Sequence, residues 1–314
     1  MSRSRTDPPR HEAHSREVLE AHERMLGASP ARGRHIEVRP GRRVHVIEVG
    51  DGPPVLLLHG SNTSSLSLLP LLDRLEGVRA IAVDRPGFGL SEPAHVPRHR
   101  FRDAAIEFVD GVLDELGLET SALAGNSMGG TWAIWYALAR PERVSRLVLL
   151  GSAPLLPGTR PPAPLRVMSA PVVGDLLPRV MKPNAKMLVQ LMSSVGEQDT
   201  IVRYPDLIEA LVAAGNDPIA SAVNLAELRA VISPLGFRRS PRMHPDELRR
   251  LTVPTLVLWG DHDPVGALEV ARSTARLVPE AQLEVLPGGH VPYLGNPERA
   301  SELLSGFVRA GDDR

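Results

Sequence analysis

An α/β fold, with a mostly parallel central sheet covered by helices on both faces and a helical cap inserted between two of its strands, is what this sequence predicts. Three observations carry that prediction. Short apolar runs with little alternation recur along the chain, as strands buried on both faces require. Helical candidates lie between them, so strand and helix take turns, which implies right-handed crossovers. Between about residues 154 and 251 the pattern breaks off, and then it resumes.

Taken in order, residues 1 to about 12 are rich in Arg, Pro and Ser and are expected to be disordered. Val18, Leu19, Met25 and Leu26 fall near helical spacing and predict a short amphipathic helix within an N-terminal extension over residues 1–33. "HIEV" and "RRVHVIEV" flank Pro40-Gly41 and read as an antiparallel hairpin with one face exposed. The main unit comprises residues 34–153 and 252–314. Its buried strands are "PVLLLHG" (54–60), "VRAIAVD" (78–84), "SALAGNS" (121–127), "VSRLVLLGSA" (144–153), "PTLVLWGD" (254–261) and "AQLEVLPGG" (281–289). Helices are expected over Leu66–Glu76, Phe101–Leu116, Met128–Ala139 and Glu298–Val308.

Residues 154–251 are the predicted cap. The stretch opens with "APLLPGTRPPAPLRVMSAP", too rich in proline for a core strand, and continues with helical segments such as "YPDLIEALVAAG". An insertion this long between core strands has a natural reading as a lid over a site. Met168, Met181, Met187 and Met192 lie in it. They either line an adaptable apolar pocket that contacts substrate or pack the lid's own core.

Composition excludes several classes. The formal net charge is −1, and the arginines, which make up all but Lys182 and Lys186 of the basic residues, are scattered along the sequence. Neither nucleic acid nor an anionic membrane is therefore expected as a partner. With no cysteine there is no disulfide, thiolate metal site or cysteine nucleophile. The N-terminus lacks the apolar segment of a secretory signal, and no apolar run approaches the roughly 18 residues of a membrane helix. The expectation is a cytoplasmic protein, monomer or homodimer.

The chemistry concentrates at Gly125-Asn126-Ser127-Met128-Gly129. A serine between small residues, after an apolar strand and before a helix, is either a glycine-rich turn or a nucleophile on a strained one. The strand–turn–helix setting favours the nucleophile, because small flanking residues let the chain turn sharply and the helix aims free N–H groups at the same spot. A serine hydroxyl needs a general base. His290, in "LPGGHVPYLGNPE" just past a strand, suits that role, whereas His59 closes a strand and reads as structural. The histidine needs a carboxylate to fix its tautomer, and "LWGDHDPV" offers Asp261 and Asp263, which spacing alone does not separate.

In this order, with "HG" at 59–60, "DRPGFGLS" at 84–91, "GNSMGG" at 125–130, and "WGDHDP" with "GGHVPYLGNPE", the chain resembles α/β-hydrolase fold proteins over about residues 34 to 310. The resemblance implies a Ser127–Asp263–His290 triad, with Asp263 three residues after the strand-ending Gly260, and a loop-structuring role for Asp84. It also implies oxyanion donors from the backbone N–H groups of Met128 and Ser61, each worth about 2.7–4 kcal/mol. Asn62 in the polar loop "HGSNTSS" and Val291 beside the histidine are expected to contact substrate.

Ser127 at the elbow argues against hydrolases that need a carboxylate nucleophile there. The expected activity is hydrolysis of a carboxylic ester, lactone or thioester of a mostly apolar small molecule through an acyl-enzyme. No metal or organic cofactor is implied. The elbow is also similar to that of carbon–carbon hydrolases of ring-cleavage products, which typically carry a Gly-Pro-Gly oxyanion loop and a tryptophan after the histidine. "HGSNTSS" and Val291 depart from that pattern, and an ester hydrolase accommodates both departures. A third reading is a biosynthetic cyclase or ligand-binding protein that keeps the triad without using it for hydrolysis.

Overall fold

The computed structural model describes residues 14–38, 41–180 and 182–311. Pro40 of the predicted turn, the N-terminal residues expected to be disordered, and Met181 lie outside them. In chain order the strands are β1 (Arg32–Val38), β2 (Arg42–Val49), β3 (Pro54–Leu58), β4 (Arg79–Val83), β5 (Ser121–Asn126), β6 (Val144–Leu150), a two-residue pair β7 (Ile232–Ser233) and β8 (Gly236–Phe237), β9 (Thr255–Gly260) and β10 (Ala281–Leu286). All except β7 and β8 form one sheet in the order β1-β2-β4-β3-β5-β6-β9-β10. The β1–β2 and β2–β4 pairs are antiparallel and every other pair is parallel.

The unalternating sequence runs have their cause in this sheet. Leu56 and Leu58 point into one apolar core with Leu123 and Val257, while Val55 and Leu57 point into a second with Ala122, Ala124 and Leu258. Successive side chains thus leave opposite faces, and both faces are covered. The expectation of a hairpin with one exposed face fails at β2: Val44, His45, Val46 and Ile47 are all buried. The reason is position. β2 is internal, hydrogen-bonded to β1 and β4, so Ile47 packs with Ala21 on one face and Val44 and Val46 with Phe108 on the other.

The helices are α1 (Arg16–Gly27), α2 (Leu69–Leu72), α3 (Phe101–Glu115), α4 (Met128–Ala139), α5 (Ala163–Ser169), α6 (Pro171–Val180), α7 (Ala185–Ser193), α8 (Gln198–Ile201), α9 (Pro205–Asn216), α10 (Pro218–Val231), α11 (Pro245–Leu248), α12 (Leu268–Leu277), α13 (Pro292–Gly295) and α14 (Pro297–Arg309). The helix expected over Leu66–Glu76 is shorter than predicted: a 3-10 turn, Ser65–Leu68, precedes α2 and the chain turns off at Asp73. Pro70 near the start of α2 lacks the N–H that would continue the ladder from the preceding turn. α4 is apolar all round, and Met128 through Ala137 are buried, as a central helix requires.

Between β6 and β9 the chain leaves the sheet for α5 to α10, the β7–β8 pair and α11. Asp217 anchors this excursion to the N-terminal segment. Its carboxylate accepts the Ala220 N–H at 2.8 Å, capping α10, the Ser15 N–H at 2.7 Å, and a bond from His14 Nδ1 at 3.1 Å. A second anchor, Asp84, accepts the N–H groups of Ser65 (2.7 Å) and Leu90 (3.0 Å) and a bond from His45 Nδ1 (2.8 Å). Burial pushes its carboxyl up, but His22 and His45 together with these bonds hold it well below the usual range.

Burial likewise raises the Asp217 carboxyl, and its donors more than offset this, bringing it down to about 2. A depressed carboxylate stabilises the fold fully above its unfolded pKa, and that contribution fades as pH falls through the folded value. Asp217→Ala is therefore expected to cost about 2 kcal/mol near neutral pH. In urea titrations the gap between wild type and variant should narrow as the pH drops from the usual aspartate range toward 2. A gap that does not change with pH would show that the ionised carboxylate is not what holds α10 and the N-terminal segment.

Candidate active site

The strand order reverses direction around β3 and β5: β4 lies on one side of this pair and β6 on the other. Loops leaving the carboxyl ends of two such strands splay apart and open a crevice. Here those loops are His59-Gly60-Ser61 after β3 and Asn126-Ser127 after β5.

Ser127 sits at φ 53° and ψ −118°, a left-handed conformation strained for any residue with a side chain. The neighbouring glycines make it attainable. A Cβ on Gly125 would sit 2.5 Å from Gly130 N, and one on Gly129 would overlap the carbonyl of Leu58. α4 thus starts almost in contact with β5 and β3, so the connecting residue has to take the sharp turn. The β3 loop closes on the same point, since a Cβ on Gly60 would lie 3.3 Å from Ser127 Cβ. Met128 opens α4, where backbone N–H groups have no partner within the helix. Ser61 turns its hydroxyl away to Glu227 Oε1 at 2.6 Å, and Asn62 follows at φ 56°, a region asparagine tolerates.

His290 reaches this crevice from the loop after β10. Its carbonyl accepts a bond from Asn126 Nδ2 at 3.3 Å, and its N–H donates to Val195 O at 2.9 Å. Its Nδ1 lies 3.0 Å from Asp263 Oδ2 and 3.0 Å from Ser152 Oγ. With Nδ1 held there, Nε2 is the nitrogen left for a further partner, and among the described residues no hydrogen bond joins it to Ser127 Oγ. Asp263 is buried and accepts three backbone N–H groups, from Ser152 (3.1 Å), Val265 (2.8 Å) and Gly266 (3.3 Å). Asp261, the alternative open in the sequence, turns instead to His262 and the Gly288 N–H.

The electrostatics suit a base. Burial lowers the His290 pKa, but the charge and hydrogen bond of Asp263 and the charge of Glu197 outweigh it, and the net shift is upward. Burial raises Asp263, and His290 with Ser152 and the Val265 N–H brings it below the usual range. His59 is the opposite case. Its Nε2 accepts the Arg85 N–H at 2.9 Å, which leaves the proton on Nδ1 to donate to Gly60 O at 2.7 Å. Burial and the Arg85 charge push its pKa down to about 3, so it stays neutral and structural.

Four residues near the site went unassigned in the sequence. Ser152 bridges Asp263 and His290, yet in the sequence it is only the next-to-last residue of the strand run "VSRLVLLGSA", with no signal for that role. Glu197, between α7 and α8, is buried and accepts the Val291 N–H at 2.7 Å; burial raises its carboxyl. Arg85 is fully buried, with its guanidinium on the carbonyls of His59 (3.0 Å) and Gly60 (2.8 Å) and on both oxygens of Glu227 from α10. No sequence signal links Arg85 to Glu227 across 142 positions. Of the residues expected at substrate, Val291 is half-buried beside His290, and Met168 and Met192 pack against the two different apolar cores. Met187 is half-buried on α7, and Met181 lies outside the described residues.

Among the described residues, His22, His45 and Asp84 bring ligand-type atoms within 4.8 Å of one another, all buried. Asp84 already serves two backbone N–H groups and His45, which is the bonding of a loop anchor and not of a free ligand.

Comparison with known proteins places this geometry. A profile for the alpha/beta hydrolase fold matches residues 53–297. The chain is similar to 2-hydroxymuconate semialdehyde hydrolase of Pseudomonas putida, 31% identical over 90% of this chain and 96% of that one. It is also similar to a 2-hydroxy-6-oxononadienedioate/2-hydroxy-6-oxononatrienedioate hydrolase of Paraburkholderia phymatum, 29% identical over 85% of this chain and 91% of that one. Among solved structures it resembles carboxylesterase CesB of Bacillus subtilis, with a TM-score of 0.72 and 25% identity over 93% of this chain and 96% of that one.

Three outcomes are expected from the His290 surroundings. Because its pKa is raised, the acid limb of kcat/KM should lie above the usual histidine value. Glu197→Gln removes a nearby negative charge and should move that limb to lower pH. Ser152→Ala removes one bond to the His290–Asp263 pair, and about a fivefold loss in kcat with little change in KM is expected. A limb unmoved by Glu197→Gln would mean that its charge does not reach His290.

Proposed function

The chain belongs to the alpha/beta hydrolase fold family and is a hydrolase, and from that premise we propose that it cleaves a carbon–carbon bond beside the ketone of a conjugated hydroxy-oxo acid, using Ser127 as nucleophile. One observation carries this reading: the 31% identity, over nearly the full length of both chains, to a hydrolase named for 2-hydroxymuconate semialdehyde. The elbow sequence "GNSMGG" supports it.

Ser127 Oγ attacks the carbonyl carbon while His290 Nε2 takes its proton, and Asp263 stabilises the resulting imidazolium. The new oxyanion lies against the N–H groups of Met128 and Ser61. Transfer of the enol proton to the carbon beside the ketone first makes that carbon sp3 and places an enone next to it, so that when the tetrahedral intermediate collapses and the bond to that carbon breaks, the departing electron pair spreads into the enone as a dienolate. His290 gives its proton to that fragment. Water, activated by the same histidine, then frees the acid from Ser127. The segment 154–251 serves as the lid that shapes the substrate pocket.

Ester hydrolysis is the second reading, and a specific arrangement favours it. A hydroxy-oxo acid brings a carboxylate, but Arg85, the buried cation behind the β3 loop, is already neutralised by Glu227. Val291 beside His290 and the likeness to a carboxylesterase point the same way. Apart from that initial proton transfer, the two readings share every step except the leaving atom, which is carbon in one and oxygen in the other.

A single assay series separates them. Purified protein is given 2-hydroxymuconate semialdehyde, 2-hydroxy-6-oxo-6-phenylhexa-2,4-dienoate and p-nitrophenyl esters from acetate to decanoate. The first reading expects kcat/KM on a dienoate to exceed that on any ester, and Ser127→Ala to lose at least about a thousandfold on both classes. Ester turnover with inert dienoates would replace it with the second reading. Turnover that survives Ser127→Ala would overturn both.

A further inference from the structure

Although scattered in the sequence, the arginines are not evenly spread in the fold. Residues 158–186 hold five basic side chains and one acidic, and residues 234–242 hold three basic and none acidic, in a chain whose totals are 36 basic and 37 acidic. These are the stretches by which the chain leaves the sheet after β6 and returns before β9. They meet at a cavity of about 530 Å³ whose lining includes Arg160, Arg166, Arg242, Leu235 and Phe237. Among the described residues none of these three arginines has a carboxylate partner. Arg166 donates to Pro234 O at 2.8 and 3.0 Å, and Arg242 to Thr159 O at 3.4 Å. The acid of the first stretch, Asp175, is engaged by Arg229.

Apolar exposure falls in the same place. Of nine large apolar side chains that stand exposed among the described residues, five belong here: Val167 on α5, Val172, Val173 and Leu176 on α6, and Leu235 at the tip between β7 and β8. Val172 is 76% exposed and Leu235 is 95% exposed. Arg166 ties α5 to that tip through Pro234 O, and α6 continues directly from α5, so cations and exposed apolar groups share one region.

We propose that this region docks on an anionic phospholipid surface, with the arginines on headgroup phosphates and the valines and leucines in the headgroup–acyl boundary. Clustered cations beside exposed aliphatic side chains are the combination that such an interface rewards. A second copy of the chain is the poorer occupant, because an isologous contact would set this basic face against itself. No helix of the described residues is long and apolar enough to cross a membrane, so the contact is peripheral. The net charge of −1 led to the expectation of no anionic membrane partner; that value averages over a surface on which charge is segregated.

The test is co-sedimentation of the full chain with vesicles of phosphatidylcholine alone and of phosphatidylcholine and phosphatidylglycerol in equal parts, at low and high salt. Binding is expected only to the anionic vesicles and should weaken with salt. The triple variant Arg160→Gln, Arg166→Gln, Arg242→Gln should partition about a hundredfold less, about fivefold per arginine. Leu235→Asp with Val172→Asp should also lose binding although its arginines remain. An unchanged melting temperature shows that each variant is folded. Equal binding to both vesicle types, no binding to either, or a triple variant that binds like wild type would overturn the proposal. So would tight binding of inorganic phosphate in solution with no affinity for vesicles, which would make the cavity a site for a free anion.

Discussion

The close approach of α4 to β5 and β3 is the constraint on which the rest of the site depends. Gly125 and Gly129 leave no room for a side chain between helix and strands, so the peptide at Ser127 is driven into a left-handed turn. That strain is held in place by a helix buried from Met128 to Ala137 and by strands packed on both faces. The turn at Ser127, the start of α4 and the β3 loop therefore converge.

The remaining groups are delivered by the neighbouring strands. The loop after β6 carries Ser152, the loop after β9 carries Asp263 and the loop after β10 carries His290, so three adjacent strand ends supply one hydrogen-bonded cluster. Asn126, beside Ser127, reaches His290 O, which couples the turn after β5 to the histidine loop through the backbone. The helical excursion joins in from outside: Glu197 and Val195 hold the backbone of Val291 and His290, while Glu227 holds Arg85 and Ser61. A displacement of these helices would be felt at the histidine and at the β3 loop together.

Charge follows a different logic in the interior and at the surface. Inside, three buried ions around the site are matched: Arg85 with Glu227, Asp263 with His290, Asp84 with its N–H donors and His45. Burying a charge without such partners is costly. On the surface, cations gather where the excursion leaves and rejoins the sheet, with aliphatic side chains left in solvent beside them. The interior arrangement holds the fold and the candidate site together; the surface arrangement is the basis of the proposed docking.

Much of this was legible from the sequence. Unalternating runs announce strands buried on both faces, because a parallel sheet sandwiched by helices gives them no polar side. Gly-x-Ser-x-Gly between strand and helix announces the elbow, because its steric demand falls on residues adjacent in the chain. The order of Ser127, Asp263 and His290 follows from strand-end loops that can be read one by one. What only the tertiary structure decided joins residues far apart in the chain: Ser152 as the bridge between Asp263 and His290, Glu197 against the histidine loop, Arg85 against Glu227. The same holds for β2, whose alternation suggested an exposed face until neighbouring strands and helices covered it, and for arginines that look dispersed until folding brings 160, 166 and 242 to one cavity. Local sterics are written in neighbouring residues; pairings across the fold exist only once the chain has closed on itself.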